Sequence, residues 1–368
     1  MNLAYWMILF SVSCFANLLG LNISASFNSV KVIYILIPVC IIPQLLFSGI
    51  IVSFDKLNPL FSSKSHVPAI GNIMASRWAF EALAVTQFKD NDYEVIFYEY
   101  DKAMSFANWK KDQWVSNIQS KLKDIKRHIE TPNSNALKKQ MITQQLQIVK
   151  HEIQKELRHN KSNNYTENGK LNMLLNQLTL SSFSTETYHT IAEYLSYCKD
   201  GYKKTYKINE SLRDNAQQKF IKPNSEFMNL LNKEKAAKRI TSKEHRNFKR
   251  LMSKLKDENF KQFRNRYKNK ALEDFVTNSN TLNFTDEDHQ SVIQKTDPIY
   301  LDPYDFDYFK SHFYSPRKKV FGHYLDTYYA NLIVIWAMTL FLVITLYFDT
   351  LKWLINAPAK LQGKLKRK

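Results

Sequence analysis

Val32 to Phe54 reads VIYILIPVCIIPQLLFSGIIVSF, a run without a charged side chain that closes on Phe47-Ser48-Gly49 and the bulky pair Ile50-Ile51. A helix needs about 20 apolar residues to cross roughly 30 Å of hydrocarbon, and this run supplies them. Pro38 and Pro43 free backbone carbonyls and bend the helix, which is tolerated in a membrane where neighbours or a cavity satisfy the freed groups. Ser48 and Gly49 are small enough to admit a second helix at close range. A bent span of this kind suits the wall of a pathway, and equally a kinked anchor.

Two further runs share this character, Leu3 to Leu21 (LAYWMILFSVSCFANLLGL) and Tyr328 to Phe348 (YYANLIVIWAMTLFLVITLYF). The last is opened by two tyrosines and closed by an aromatic pair, the pattern of interfacial belts. The first lacks the basic n-region of a secretory signal, and a second apolar run follows it closely. Three spans are therefore expected. Lys352, Lys360, Lys364, Lys366, Arg367 and Lys368 follow the last run, and such an excess of positive charge belongs on the cytoplasmic side. Counting back from that tail puts residues 55–327 outside the cytoplasm, in the periplasm if the membrane is a bacterial inner membrane. It puts the amino terminus outside as well.

Across all 368 residues there are only 7 Gly and 10 Pro, too few turn-formers for a barrel or sandwich of short strands. The fold class expected is an all-α membrane protein. Hydrophobic residues make up 44% and aromatics 14%, which excludes wholesale disorder. Three cysteines, Cys14, Cys40 and Cys198, cannot build a disulfide framework.

Between the second and third runs lies a large insertion. Trp109, Ile118, Leu122, Ile125 and Ile129 recur at helical spacing up to Thr131-Pro132-Asn133, and Leu137, Met141, Leu146, Val149, Ile153 and Leu157 resume it, predicting a helical hairpin. Helices are also expected over 171–180 and 188–206, and Thr241 with Glu244 has the spacing of a capping box. The division read from the chain is 1–54 for two spans (3–21 and 32–54), 55–100 for an interfacial or re-entrant segment and 101–276 for the helical insertion. Then come 277–327 as a proline-interrupted connector, 328–348 as the last span and 349–368 as the basic tail. Lys199 to Lys270 holds 22 basic and 8 acidic residues. Nucleic acid is not the expected partner, because the stretch lies between an outgoing and a returning span; a solvated helix surface or anionic lipid headgroups fit its position better.

Catalytic patterns are missing. No P-loop and no GxGxxG can be written on Gly20, Gly49, Gly71, Gly169, Gly201, Gly322 and Gly363. His151-Glu152 with His159 has the wrong step for a zinc-binding HExxH, Asp302, Asp305 and Asp307 lack EF-hand spacing, and Cys198 near His189 on a helical segment reads as inert. This chain is expected to bind no cofactor or metal and to catalyse nothing.

His66 to Phe88 (HVPAIGNIMASRWAFEALAVTQF) is apolar but carries Arg77 and Glu81, four apart and able to pair on one helix face. IPQLLFSGIIVSF followed by SRWAFEALAVTQF resembles the fifth transmembrane helix and re-entrant helix of G-subfamily (White-type) ABC transporter permeases. In these a Phe-Ser-Gly step ends the fifth helix, two bulky aliphatics follow, and an aromatic-Glu-Ala-Leu-like motif marks the re-entrant segment. The matching positions are Phe47, Ser48 and Gly49, then Ile50 and Ile51, then Phe80, Glu81, Ala82 and Leu83. Gln294 to Pro303 and Ser311 to Pro316 are similar to the bacterial fused ATPase-permeases of Bacteroidetes. The likeness covers roughly residues 1–100 and 292–355. It implies the last three helices of an ABC-2-type (type V exporter-like) permease with a large helical extracytoplasmic insertion, a C-terminal portion of a longer chain or a subunit completed by another polypeptide. It implies a homodimer, partnership with an ABC ATPase domain that holds ATP and Mg, and with the remaining permease helices. Ile42 and Leu45 would face a cavity on the dimer axis, and Ile50 with Ile51 would plug it. The alternative is an envelope protein whose spans anchor a partner-binding or bracing exterior domain.

Overall fold

The computed structural model describes residues 2–27, 29–52, 54, 57, 65–130, 136–159, 168–176, 178–221, 229, 232–233, 235, 241–242, 244–247, 250, 260–288, 291–303, 311–320 and 322–353. It is mostly helical. In chain order the helices are α1 (Asn2–Ser26), α2 (Val30–Leu46), α3 (Ala69–Asn72), α4 (Ala75–Lys89), α5 (Glu94–Trp109), α6 (Val115–Glu130), α7 (Ala136–His159), α8 (Asn168–Asn176), α9 (Thr185–Ile221), α10 (Phe260–Tyr267), α11 (Lys270–Thr277) and α12 (Thr327–Tyr347). Two antiparallel hairpins join them, β1 (Thr285–Asp288) with β2 (Ser291–Gln294) and β3 (Arg317–Val320) with β4 (His323–Asp326). The chain divides into two compact units, Met1–Asn91 with Leu301–Lys368, and Asp92–Tyr300. The connector read over 277–327 is shared between them, with one hairpin in each unit.

In the first unit, Leu3–Ser26 and Thr327–Tyr347 are long and apolar enough to cross a membrane. The span expected over Val32–Phe54 is helical only to Leu46, 17 residues that reach about 25 Å. Local chemistry stops it there. The Ser48 hydroxyl donates to the carbonyl of Leu45 at 2.7 Å, and Gly49 turns into the left-handed region at φ +82°. Glycine pays no Cβ penalty there. A Cβ on Gly49 would also stand 2.6 Å from the Phe54 ring and 2.8 Å from the Phe313 ring.

Polar side chains tie α1 to α12. Asn22 Nδ2 donates to the carbonyl of Leu342 at 2.9 Å, and the Thr345 hydroxyl donates to Asn22 Oδ1 at 2.9 Å. Helix α4 lies against both, with Trp78, Ala79 and Ala82 packed on Ile8 and Ile335.

The second unit has its own core. From α5 through a π-helical turn, Lys110–Trp114, into α6 the backbone is continuously helical. Ile118, Leu122 and Ile125 point from it into a cluster with Val149, Ile153, Ile191 and Leu195, so the helical hairpin read from the spacing is present. The turn expected at 131–133 lies outside the described residues. Lys110 Nζ donates to Glu156 Oε2 and Trp114 Nε1 to Glu152 Oε2, both at 2.7 Å. The other Glu152 oxygen accepts from the Val292 amide at 3.0 Å, which docks β2 on α7. The helix expected over 188–206 is longer, 37 residues ending at Ile221. Thr241 and Glu244 form the expected capping box, each bonding the other's amide, at 2.6 and 3.2 Å.

Candidate functional site

Helices α1, α2 and α12 enclose an apolar groove of about 1080 Å³ in the first unit. Phe15 and Leu19 come from α1, Val39, Cys40, Pro43 and Gln44 from α2, and Ile333, Ala337, Met338 and Phe341 from α12. The sequence shapes this wall directly: Val39 with Pro43, and Cys40 with Gln44, are four apart and share one side of α2. Val320 and Leu325 of the second hairpin, Asn72 at the end of α3 and Ile73 and Met74 after it also line it. Its polar groups are few, and Gln44 is already engaged: its side-chain oxygen accepts from the Ser76 amide at 3.2 Å and its carbonyl from the Ser76 hydroxyl at 2.5 Å.

Ile42 and Leu45 do not line this groove. The helical period turns them to the opposite side of α2, where they are 52% and 51% exposed. Phe47 caps the helix, and Ile50 and Ile51 follow in the bend after it, Ile51 being 63% exposed. Ile42, Leu45, Ile50 and Ile51 are therefore exposed apolar residues rather than a cavity wall within one copy of the chain, while Phe47 at the helix end is half-buried.

The α4 residues are arranged differently. Arg77 Nη2 lies 3.4 Å from Glu81 Oε2, the pair that their spacing predicted, and the Arg77 guanidinium stacks 3.9 Å from the Trp78 ring centre. Two residues that sequence reasoning did not single out complete the group. Lys318 Nζ donates to Glu81 Oε1 at 3.0 Å and to the Ser311 hydroxyl at 2.9 Å. Asn331 Nδ2 donates to Glu81 Oε2 and to the Trp78 carbonyl, both at 2.9 Å. Glu81 and Lys318 are fully buried. Phe80 sits at the edge of the group with its ring 6.3 Å from that of Tyr314.

Burial works against ionisation of Glu81, yet the charges of Arg77 and Lys318 and the bonds from Asn331 and Lys318 prevail and hold its carboxyl below the usual range. Two cations around one carboxylate leave one in excess. Burial and the Arg77 charge accordingly pull the Lys318 ammonium down to about 8, against the attraction of Glu81. The knot binds α4, β3 and α12 together and holds the Ser311 hydroxyl against the Lys318 amine in a site closed to solvent.

Elsewhere the chemical candidates are absorbed into packing. Glu152 serves Trp114 and Val292. Asp302 holds Arg317 through two bonds of 2.6 Å, while Asp305 and Asp307 lie outside the described residues. Among the described residues no group of three or more His, Cys, Asp and Glu is placed to hold a metal ion. The chain matches none of the protein-family models, curated proteins or solved structures with which it was compared.

Proposed function

We propose that this chain is the permease portion of an ATP-driven transporter of the inner membrane, moving its substrate through a pathway between apolar helices. The observation that carries the reading is the groove of about 1080 Å³ among α1, α2 and α12, whose walls are apolar and whose neighbours are helices of membrane-spanning composition. On this reading α1 and α12 cross the bilayer with α2 as a short, bent third element. The second unit lies in the periplasm and the basic tail in the cytoplasm. Energy comes from an ABC ATPase domain that holds ATP and Mg and associates with this chain and with further permease helices. The exposed Ile42, Leu45, Ile50 and Ile51, with Phe47 at the helix end, are offered to a second copy, so that a homodimer closes a central cavity with Ile50 and Ile51 as its plug.

The test fills the groove from one side. Ala337 lines it and has a small side chain on α12. Ala337→Trp, in the chain assembled with its ATPase in proteoliposomes, is expected to abolish substrate-stimulated ATP turnover while leaving assembly intact. Unchanged turnover sinks the pathway. A second reading is favoured by the separate core of Asp92–Tyr300: an anchored exterior domain that binds a partner. It predicts that the chain carries no ATPase in the membrane at all.

A further inference from the structure

Four elements of the second unit converge on a group of carboxylates. Asp101 on α5 accepts from Arg213 Nε on α9 at 2.6 Å, and Glu273 on α11 pairs with Lys268 at 2.9 Å. Asp297, just before the 3-10 turn Pro298–Tyr300, accepts from the Ser105 hydroxyl of α5 at 2.6 Å. Glu94 stands at the start of α5, 6% exposed, within the electrostatic reach of Asp101, Glu273, Lys268 and Arg213. Arg213 and Lys268 bond Asp101 and Glu273, and Arg264 of α10 faces the same group. If all four acids were ionised, the group would hold four negative charges against these three positive ones in a largely buried site.

We propose that Glu94 and the carboxylates around it form a proton-operated latch, which clasps α10, α11 and the distal part of α9 to α5. A proton on Glu94 restores near balance, and the same surface is sealed by aromatic contacts: Tyr93 meets Phe260 and Phe263 at 6.1 and 6.4 Å, and Phe97 meets Phe260 at 6.4 Å. The groups facing Glu94 and its neighbours are Tyr93, Tyr98 and Asp101 of α5, Arg213 of α9, Arg264 of α10, Lys268, Glu273 of α11, and Asp297 and Tyr300. Burial, then the Asp101 charge, push the Glu94 carboxyl up to about 8, and burial raises Asp101 and Asp297 as well. The direction of the effect follows. A carboxyl that keeps its proton to about pH 8 when docked, but only to about 4.5 when exposed, favours docking most strongly in acid. That preference is lost progressively as pH rises from 4.5 to 8 and is gone above 8. The latch therefore tightens on acidification and slackens toward alkaline pH. This holds whether or not the chain is a transporter.

Hydrogen exchange of the full chain in detergent, corrected for the intrinsic pH dependence of exchange, reads the latch in peptides covering 260–277. Wild-type protection is expected to fall by close to tenfold per pH unit between about pH 5 and pH 7.5, and to level off above 8. Glu94→Gln should flatten the profile, whereas Glu99→Gln, on the exposed side of the same helix, should keep the wild-type slope. The infrared band of a protonated carboxyl should disappear from the wild type on raising the pH from 7 to 9, which decides the matter if Glu94→Gln does not fold. A flat wild-type profile, an unchanged slope in Glu94→Gln, or no titrating band in that interval overturns the latch.

Discussion

Lys318 Nζ lies 3.0 Å from both carboxylate oxygens of Glu81, a residue 237 positions earlier in the chain, and neither side chain is exposed to solvent. A strand of four residues thereby reaches across and locks the helix that carries the sequence's Phe-Glu-Ala-Leu motif. Breaking a buried pair from one side leaves the other charge uncompensated, at a cost of about 3–5 kcal/mol. Glu81→Gln should thus lower the thermal midpoint of the detergent-solubilised chain by several degrees, and Lys318→Met should restore part of the loss when added to it. Additive losses in the double variant would show that the two residues are not coupled.

Gly49 is expected to resist any side chain. Gly49→Ala combines a left-handed backbone with contacts of 2.6 and 2.8 Å on the Phe54 and Phe313 rings, so it should destabilise by about 1–3 kcal/mol. Gly20, inside α1 with nothing within 4 Å of an added Cβ, should gain about 0.5–1 kcal/mol from the same change. Thermal melts of the two variants should move in opposite directions.

In the second unit, Trp114→Phe removes the indole donor from buried Glu152. The cost of leaving that oxygen without its bond is about 1–3 kcal/mol, measurable by denaturant or heat. Glu152→Gln added to Trp114→Phe should cost less than the sum of the single changes, because no charge then remains to be satisfied.

Cys198 is buried beside Tyr194 and Glu156, and burial first, then the Glu156 charge, push its thiol up to about 12. The reactive species is the thiolate, so the folded chain should leave Cys198 unmodified by iodoacetamide at pH 8, and unfolding should expose it at once. Mass spectrometry of the Cys198 peptide before and after denaturation reads this; rapid modification in the native state contradicts the packing.

The membrane orientation under the proposed function is testable in a background free of native cysteines. Lys204→Cys, on the exposed side of α9, should react with an impermeant thiol reagent in intact spheroplasts, and Lys352→Cys should not. The reverse pattern inverts the topology.

Features that depend on spacing along one helix were legible in the sequence itself. The apolar runs of α1 and α12, the Arg77–Glu81 pair, the Thr241–Glu244 capping box and the apolar periodicity of α6 and α7 all follow from the 3.6-residue period and local chemistry. Where the α2 helix stops was only half visible. Phe47-Ser48-Gly49 announced a step, but composition continued the span to Phe54, and the rings of Phe54 and Phe313 that close over Gly49 cannot be read from the step itself.

Tertiary structure alone decided the rest, because the deciding contacts join residues far apart in the chain. Nothing in RKKV marks Lys318 as the ion that meets Glu81, and nothing in TDED predicts a strand; Thr285–Asp288 is a strand because β2 pairs with it and Val292 anchors that strand on Glu152. The groove is likewise invisible to any local reading. Hydrophobicity says that α1, α2 and α12 seek apolar surroundings, but being non-directional it does not say where they part, and the gap between them is set by how their side chains fail to fill it.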